Sequence, residues 1–438
     1  MHKFNFENIH INSKKIENTT YQQLADTIGT PFYAYSTAKL KEDIRTLKNI
    51  MPEELAFFYS LKANPNLSLV QLIHKQGMGC EVCSLTELET ALQAGANGNN
   101  IIFVGPGKSR LELTRCVEVG VKAVIVESIE EMTLLNDVAK DLGKTQKFAF
   151  RINPNFTPSK ARLVMSGKSS QFGIDEDIVV EQIQQLDQYS NLTLSGLHIY
   201  LGTRILEAQS VVENTKNILA LAERIQSYLS EPLSFVDIGG GLGVPYYPKE
   251  SFIDLPSVSK GIAPVVKAFR HEHPDTHVIM ELGRYIVARA GIFVTQVRYV
   301  KTSKGKPFAI CDGGSNCHGS AAGLGSAIRK NFPMAALGTG TPKTSNHYMV
   351  TGPLCTPTDL IGDSVNLSEL YPGSLIGVFH SGAYGPTASP VNFLSFGYPS
   401  EVLVDGNSVL QIRRSEGVDH FMNQQQPQRL ELVSENKL

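Results

Sequence analysis

Reactive side chains and a run of glycines follow short apolar stretches of this chain. Lys62 follows LAFFYS, Arg151 lies in FAFRI, glycines 239–241 end FVDIG, and Glu281 lies in VIMEL. A lysine can form a Schiff base with a carbonyl, and a glycine-rich backbone can closely approach a phosphate. A carboxylate can keep a pyridine nitrogen protonated. Together these features are what pyridoxal 5'-phosphate requires, and they predict carbanion chemistry at the α-carbon of an amino acid.

Each of these signals is weak when taken alone. Most lysines at strand ends are simply solvated. A glycine run is as often a tight turn between a strand and a helix as a phosphate site. The prediction therefore depends on elements that bring the residues to one place.

Short β-like runs alternate with longer helical patterns between about residues 55 and 282. Two helix starts, Ser84 with Glu87 and Ser128 with Glu131, have the S-x-x-E spacing of a capping box. Repeated β-then-α units predict an α/β fold, a TIM-type (β/α)8 barrel whose active site lies at the carboxyl ends of the strands. The predicted strands are 55–60, 80–83, 101–104, 123–126, 148–152, 196–200, 235–239 and 278–282.

The pattern changes after the eighth predicted strand. The following residues alternate with a period near two and are interrupted by Gly/Pro turns, which predicts a separate β domain. The predicted divisions are an N-terminal segment packing on the β domain (1–30), the barrel (31–282), the C-terminal β domain (283–420) and a polar, Gln-rich tail (421–438).

The composition is that of a globular protein without an electrostatic footprint for a polyanion. The 438 residues are 42% hydrophobic and 19% charged, and 40 basic residues against 42 acidic ones leave a net charge of -2. Nucleic acid and anionic membrane are therefore poor candidates as partners. The first twenty residues lack the apolar core of a signal peptide, and no run of about 18 apolar residues follows. We expect a soluble, cytoplasmic protein.

The six cysteines do not predict a metal site or a disulfide scaffold. Cys80 and Cys83 spell CxxC, but a zinc ribbon needs a second close pair, and Cys311 and Cys317 lie too far apart to supply it. We interpret both pairs as structural and expect no metal.

Five motifs resemble those of the fold-type III decarboxylases, the diaminopimelate and ornithine decarboxylase family. They are YSLKANPN around Lys62, GGGLGVPY at 239–246, ELGR at 281–284, GPLCTPTD at 352–359 and SGAYG at 381–385. The resemblance runs from about residue 30 to 415, with the motifs in the family's order. It implies pyridoxal phosphate as the cofactor, an alanine racemase-like barrel followed by a β domain, and a homodimer whose active sites are shared between subunits.

The resemblance also implies roles for individual residues. Lys62 is then the lysine that bonds to the cofactor, and Glu281 is the partner of the pyridine nitrogen. Cys355 is the general acid, donated by the other subunit, that protonates the α-carbon after carbon dioxide leaves. The implied cofactor contacts besides Lys62 and Glu281 are Tyr200, Thr203, Gly239, Gly240, Gly241, Arg284 and Tyr384. Without the motif around it, Cys355 would be interpreted as a buried structural cysteine.

The chain departs from the family pattern at three places. Tyr200 stands where members usually have a histidine on the ring face, and a tyrosine can stack there but cannot carry a proton near neutral pH. Thr356 follows Cys355, where diaminopimelate, ornithine and lysine decarboxylases have an acidic residue. The segment SNCHGSAAGL (315–324) replaces the Arg-Pro-x-x-Tyr of diaminopimelate decarboxylases.

These departures resemble the branch of the family that decarboxylates amino acids already conjugated at their distal end. Such substrates are a carrier-protein thioester in antibiotic assembly or a siderophore precursor, so an acyl carrier protein is a candidate partner. Residues assigned to the substrate are Asp312, His318, Thr356 and Asp359, and Arg329 is a further candidate for pairing with a charged distal end.

Three alternatives remain open at this point. One is a diaminopimelate decarboxylase proper. Another is an amino-acid racemase, although racemases of this fold pair the pyridine nitrogen with arginine, whereas Glu281 favours decarboxylation. The third is a non-catalytic regulatory homologue that only binds the cofactor.

Overall fold

The computed structural model describes residues 14–156, 163–164, 167–325, 330–338 and 344–425 of the chain. Its first elements precede the barrel. They are β1 (Lys15–Ile16), β2 (Thr19–Thr20), α1 (Tyr21–Ile28), β3 (Phe32–Ser36) and α2 (Thr37–Ile50).

The barrel follows as alternating strands and helices. In chain order they are β4 (Leu55–Ser60), α3 (Leu67–His74), β5 (Gly79–Val82), α4 (Leu85–Gln93), β6 (Ile101–Phe103), α5 (Arg110–Val119), β7 (Ala123–Val126), α6 (Ile129–Asp141), β8 (Gln146–Asn153), β9 (Leu163–Val164), β10 (Ile174–Asp175), α7 (Glu176–Ile183), β11 (Leu192–His198), β12 (Gly202–Thr203), α8 (Ala208–Gln226), β13 (Phe235–Gly240), α9 (Leu255–Glu272), β14 (His277–Leu282) and α10 (Arg284–Val287).

Eight of these strands, all parallel, close into a barrel in the order β4, β5, β6, β7, β8, β11, β13, β14. β14 pairs with β4 to complete the ring. The predicted fold and all eight predicted strands are confirmed. The barrel forms because each apolar run is followed by a helix that covers its outer face.

Serine caps begin several of the barrel helices. Ser84 and Ser128 accept hydrogen bonds from the amides of Glu87 and Glu131, which confirms the predicted helix starts. In a capping box each glutamate would accept a hydrogen bond from the amide of the capping serine. Here the two glutamates accept instead from the amides one residue earlier, at 83 and 127. Ser109 has the complete box with Glu112.

Alternate residues of the strands fill the barrel interior. The lower part of the interior is an apolar cluster that includes Phe58, Ala149, Phe235 and Ile279. Glycines leave room for its rings, since a Cβ on Gly79 would lie 2.5 Å from the Phe58 ring. The barrel is therefore a packed core below its carboxyl-terminal rim.

The second domain is a mostly antiparallel sheet. Its elements after the barrel are β15 (Gly291–Ser303), β16 (Lys306–Cys311), β17 (Met334–Leu337), β18 (Ser345–Thr351), β19 (Leu360–Ser368), β20 (Leu375–Phe379), β21 (Ser400–Asp405), β22 (Ser408–Arg413) and α11 (Val418–Asn423). The sheet order is β19, β18, β16, β15, β3, β21, β22, with β20 on β15 and β17 on β20.

Two predicted boundaries need correction. Strand β3 was assigned to the barrel, but it lies between β15 and β21 in the second sheet. Its residues Phe32 and Ala34 pack with Tyr21 and Leu24 of α1, so the described N-terminal segment and β3 share one core with the β domain. At the other end, α11 continues past residue 420 into the predicted tail, and residues 426–438 lie outside the described residues. Among the described helices, none combines the length and the apolar character that crossing a membrane requires.

Candidate active site

Polar side chains replace apolar ones on the inner face of the barrel near the carboxyl ends of its strands. Five strands place an ionisable residue there. Each of these residues comes two positions after an inward-facing residue of the lower, apolar layer and therefore also faces inward. All five are buried: Glu81 on β5, Arg151 on β8, His198 on β11, Asp237 on β13 and Glu281 on β14. Charged groups in a closed interior must be paired or must meet a ligand.

Lys62 lies on the 3-10 turn that follows β4 and points to this polar layer. Its Nζ donates to Oε1 of Glu81 at 2.9 Å, and its side chain is 40% exposed while Glu81 is fully buried. Burial opposes the charged form of Lys62, but the attraction of Glu81 and of the other acidic groups around the lysine, Glu281 among them, together outweighs burial and raises the pKa of Lys62 well above its usual value. The lysine is thus an ammonium group at the mouth of the barrel.

Cys83 is part of the same group of residues. Its thiol lies 3.1 Å from Oε1 of Glu81, and burial followed by the charge of Glu81 raises its pKa well above the usual value. The thiol therefore stays protonated and donates to Glu81. All six cysteines are free, and Cys80, the other half of the CxxC, packs in the core.

Glu281 faces two other buried groups. Nε2 of His198 lies 3.3 Å from its Oε1, and Asp237 is adjacent. Burial would raise the pKa of Glu281, but attraction to His198 and then to Lys62 holds it below the usual range. Burial and then the charge of Glu281 raise the pKa of Asp237 well above its usual value. Glu281 carries the negative charge, and Asp237 keeps its proton.

Glycines 239–241, at the end of β13, form a turn that has no room for a Cβ. Gly239 and Gly241 have φ of +62° and +83°, in the left-handed region. A Cβ on Gly240 would lie 1.7 Å from the Glu281 carbonyl oxygen, and one on Gly241 would lie 2.1 Å from that of Gly202. The turn therefore leaves bare backbone at the rim, where an anion can approach the main chain.

Arg284 and two tyrosines lie beside this turn. Nη1 of Arg284 donates to the hydroxyl of Tyr246 at 2.9 Å, and its guanidinium lies 4.5 Å from the ring centre of Tyr384. The amide of Tyr384 donates to the carbonyl of Ala63 at 2.8 Å, next to Lys62. This contact ties the SGAYG loop of the β domain to the barrel rim.

Tyr200 and Thr203 complete the rim on the side of β11 and β12. Nζ of Lys62 lies 5.6 Å from the ring centre of Tyr200, so the ring lines the space in front of the lysine. Burial raises the pKa of Tyr200, although Lys62 opposes the shift. The hydroxyl therefore stays protonated at neutral pH.

The donor set fits pyridoxal phosphate. Among the described residues, Oε1 of Glu281 and Nε of Arg284 are buried without a hydrogen-bond partner. The first is an acceptor suited to a protonated ring nitrogen, and the second is a donor suited to a phosphate beside the glycine turn. Lys62, Glu281 and the turn thus lie at one rim, as the sequence analysis anticipated, and could hold this cofactor.

Cys355 lies apart from this group in the loop between β18 and β19, where it is exposed. The next residue, Thr356, is half-buried, and its hydroxyl lies 2.9 Å from that of Thr358. Asp359, one of the residues assigned to the substrate, accepts from the amides of Ser315 at 2.6 Å and Leu354 at 2.7 Å. The carboxylate of Asp359 therefore holds two loops together, and its contact with the substrate stays a prediction.

Asp312 and His318, also assigned to the substrate, make contacts within the chain as well. Asp312 accepts from the hydroxyl of Thr295 at 2.7 Å and the amide of Gln296 at 2.9 Å. Nε2 of His318 lies 2.9 Å from the hydroxyl of Ser381, and burial lowers its pKa to about 3, so it is neutral. Both residues are occupied by internal contacts. Arg329 lies outside the described residues.

Sequence reasoning missed several members of the site: Glu81, Cys83, His198, Asp237 and Tyr246. The sequence held a signal for three of them. Glu81, His198 and Asp237 are ionisable residues inside otherwise apolar strands, at alternating positions that face the barrel interior. The partnership of Glu81 with Lys62 depends on the pairing of β4 with β5, which places Ser60 opposite Glu81.

The barrel matches a known family model. Residues 37–288 match the pyridoxal binding domain of the pyridoxal-dependent decarboxylases. This range begins with α2 and ends directly after α10, before β15, so it covers the complete barrel.

Two curated relatives align with nearly the whole chain. The L-glutamyl-[BtrI acyl-carrier protein] decarboxylase of Niallia circulans is 36% identical over 406 residues, covering 91% of this chain and 94% of that protein. The diaminopimelate decarboxylase of Aquifex aeolicus is 31% identical over 412 residues, covering 93% and 94%.

Solved structures agree. The diaminopimelate decarboxylase of Helicobacter pylori complexed with L-lysine superposes with a TM-score of 0.83 at 28% identity, covering 92% of this chain and 99% of that one. Because the family match spans the whole barrel and the relatives align along both domains, we conclude that the chain belongs to the pyridoxal-dependent decarboxylases and is an enzyme that uses pyridoxal phosphate.

Proposed function

We propose that this decarboxylase acts on an amino acid whose distal end is already masked as an amide or a thioester. The support is that the described candidates for a charged partner of the distal end, Asp312, His318 and Asp359, are taken up by contacts within the chain. The carboxylates of Asp312 and Asp359 accept hydrogen bonds from other groups of the same chain, and buried His318 is neutral. Thr356 offers only a hydroxyl.

Desolvation explains why this observation bears on the substrate. A distal ammonium or carboxylate carried into a closed site without a charged partner costs several kcal/mol. A masked end carries no such cost and can extend out of the site. The Niallia circulans relative acts on a glutamyl group attached to an acyl carrier protein. For this chain we propose an amino acid joined to its carrier through the distal carboxyl, since the α-carboxyl must remain free to leave.

In this proposal the rim residues hold the cofactor in defined ways. Lys62 would attach covalently to its carbonyl with release of water, and Glu81, 2.9 Å away, would receive the proton that the ammonium must lose first. Ionised Glu281 would accept a hydrogen bond from the protonated ring nitrogen. Arg284, Thr203, Tyr384 and glycines 239–241 would hold the phosphate, and Tyr200 would line the pocket of the ring. When bound, the cofactor supplies an electron sink for the pair left when the bond to the carboxylate breaks.

The final proton reaches the α-carbon from Cys355 of the partner subunit. Cys355 is exposed in the β domain of its own chain, and its loop is held by Asp359. An exposed thiol on a braced loop suits donation across an interface, so we propose a homodimer with two shared sites. Carbon dioxide leaves, the thiol proton adds to the α-carbon, and solvent reprotonates the thiolate.

A diaminopimelate decarboxylase proper is the second candidate. Its support is the 31% identity to the Aquifex aeolicus enzyme along the whole chain. Against it stand Thr356 and the absence of a free charge among the described candidates Asp312, His318 and Asp359.

Carbon dioxide release from a panel of amino acids tests the proposal. We expect poor turnover of free meso-diaminopimelate, ornithine and lysine, and good turnover of glutamate masked at its γ-carboxyl as an amide, a pantetheine thioester or a carrier-protein thioester. Free diaminopimelate turning over with a kcat/KM of about 10⁴ M⁻¹s⁻¹ or better would contradict the masked substrate.

A charge-insertion pair sharpens this test. Thr356→Glu should improve turnover of diaminopimelate over the wild type. Thr358→Glu places the same charge two residues further along the same loop and should not. Equal effects of the two variants would mean that Thr356 does not face the distal end.

A further inference from the structure

Three buried ionisable side chains meet at Glu281. His198, Asp237 and Glu281 come from β11, β13 and β14, which are neighbours in the barrel wall, and His198 is the register partner of Asp237. One ligand atom from each lies within 4.8 Å of the other two. The three are 1%, 0% and 3% exposed. Their mutual attraction and repulsion are therefore little screened by solvent.

The polar atoms of this cluster depend on one another. Among the described residues, both ring nitrogens of His198, Oδ2 of Asp237 and Oε1 of Glu281 are buried without a well-aligned hydrogen bond. The distance of 3.3 Å from Nε2 of His198 to Oε1 of Glu281 would become a hydrogen bond after a small rotation. Buried polar groups are nearly always paired, so these atoms satisfy each other or a bound group.

The cluster is also joined to the glycine turn. Oδ1 of Asp237 accepts from the amide of Gly239 at 2.8 Å, where the turn begins. Asp237 is thus fixed on one side by the turn, while its other oxygen remains available to Glu281. One acid holds both the start of the turn and the neighbouring carboxylate in position.

We propose that His198 and Asp237 are positioning residues that keep Glu281 ionised and aimed at the ring nitrogen of the cofactor. The proposal rests on the role of Glu281 proposed above and is independent of the identity of the substrate. Two adjacent buried carboxylates cannot both ionise. Asp237 keeps its proton and donates a hydrogen bond to the carboxylate of Glu281, and His198 faces the negative charge that Glu281 then carries. If either contact is lost, the carboxylate of Glu281 binds a proton more tightly. It then takes up the proton that it otherwise leaves on the ring nitrogen, and the ring nitrogen becomes unprotonated.

Other groups also act on this pair. Lys62 favours the charge on Glu281, while Glu81 and the charge on Glu281 both oppose ionisation of Asp237. Tyr200 also interacts with Glu281. A test must therefore change His198 or Asp237 and leave these residues in place.

Nuclear magnetic resonance of cofactor labelled with ¹⁵N at the ring nitrogen reads the proton directly in the loaded enzyme. In the wild type we expect the shift of a protonated ring. In His198→Leu and Asp237→Leu it should move toward that of an unprotonated pyridine. The acid limb of the kcat/KM profile should rise by about one pH unit or more, a tenfold change in proton affinity. Asp237→Asn, whose amide can still donate to Glu281, should keep both the wild-type shift and the wild-type acid limb.

Ser195→Ala is the matched control for lost stability. Ser195 is buried on the same strand as His198, and its hydroxyl donates to the carbonyl of Phe148 at 3.0 Å. This variant should unfold at a lower temperature without any change in the ¹⁵N shift. If His198→Leu does not fold, His198→Met carries the same measurement, with the same shift expected because its side chain also offers Glu281 no N–H donor.

Glu281→Gln separates the two levels of the proposal. If this variant moves the ¹⁵N shift while His198→Leu, His198→Met and Asp237→Leu do not, the positioning role is wrong and the role of Glu281 stands. If Glu281→Gln leaves the shift unchanged, the role of Glu281 is itself wrong. One metal ion per chain in the purified enzyme, whose removal moves the shift, would also overturn the positioning role.

Discussion

Nζ of Lys62 donates to Oε1 of Glu81 across 2.9 Å, so the reactive lysine is held by a fully buried carboxylate of the neighbouring strand. This pair sets the protonation state of the lysine before the cofactor arrives. Only a neutral amine can bond to a carbonyl, so the carboxylate controls the pH at which the cofactor becomes attached.

Replacing Glu81 should therefore lower the pH at which apoenzyme takes up the cofactor. Glu81→Gln keeps the shape but removes the attraction that raises the pKa of Lys62, so the midpoint of attachment should fall by about one pH unit or more. Absorbance of the bound cofactor against pH measures it. Glu89→Gln, at a half-exposed carboxylate paired with Arg115, is the control. Equal midpoints for Glu81→Gln and wild type would show that Glu81 does not control attachment.

Borohydride reduction of the loaded enzyme should fix the cofactor to Lys62. Peptide mapping identifies the labelled lysine. Lys108 serves as an internal control, because its Nζ is occupied by the carbonyls of Gly105 and Ile125 and by Glu131, and it should remain unlabelled. Label on any other lysine would show that Lys62 is not the attachment site.

Mixed dimers should regain activity from two inactive variants. Lys62→Ala and Cys355→Ala each remove one half of every site in their own homodimers. A heterodimer of the two has one intact site out of two, so random mixing should restore about one quarter of wild-type activity. Size-exclusion chromatography with differently tagged chains confirms that mixed dimers form. Mixed dimers that form and stay inactive would place Cys355 and Lys62 of one chain in the same site.

Removing the charge of Glu281 should slow turnover far more than it disturbs folding. Glu281→Gln keeps the shape and one hydrogen-bonding oxygen, yet it should reduce kcat by about 10²-fold or more, by analogy with other electrostatic stabilisers. Steady-state kinetics and thermal unfolding should be measured on the same preparation. A full rate in the variant would mean that the ring nitrogen does not need this carboxylate.

A methyl group in the glycine turn should cost cofactor affinity. Gly241→Ala would place a Cβ 2.1 Å from the carbonyl oxygen of Gly202. Gly143→Ala is the matched control, because Gly143 also has a left-handed φ, of +61°, but no atom lies within 4 Å of its added Cβ. Both variants should lose about 1 kcal/mol through backbone strain. Only Gly241→Ala should also weaken cofactor binding, as measured by titration of apoenzyme.

The barrel could be predicted from the sequence because its signals are local. Short apolar runs, longer helical patterns and serine caps recur in order, and each pattern depends only on residues near one another in the chain. All eight strands were found in this way. Strand β3 was misplaced because nothing in the sequence of residues 32–36 shows that its partners, β15 and β21, begin about 260 and 370 residues later.

The candidate site divides in the same way. The sequence by itself determined the residue types after each strand, Lys62, the glycine turn and Glu281, because parallel strands in a barrel must end at one rim. Only the tertiary structure decided which of those groups are paired. In the folded chain Lys62 donates to Glu81, and His198 and Asp237 lie beside Glu281. Asp312, His318 and Asp359 make hydrogen bonds with other groups of the chain. The physical reason is that the charge state of a buried group depends on neighbours brought together by strand register and loop packing, which spacing along one chain does not reveal.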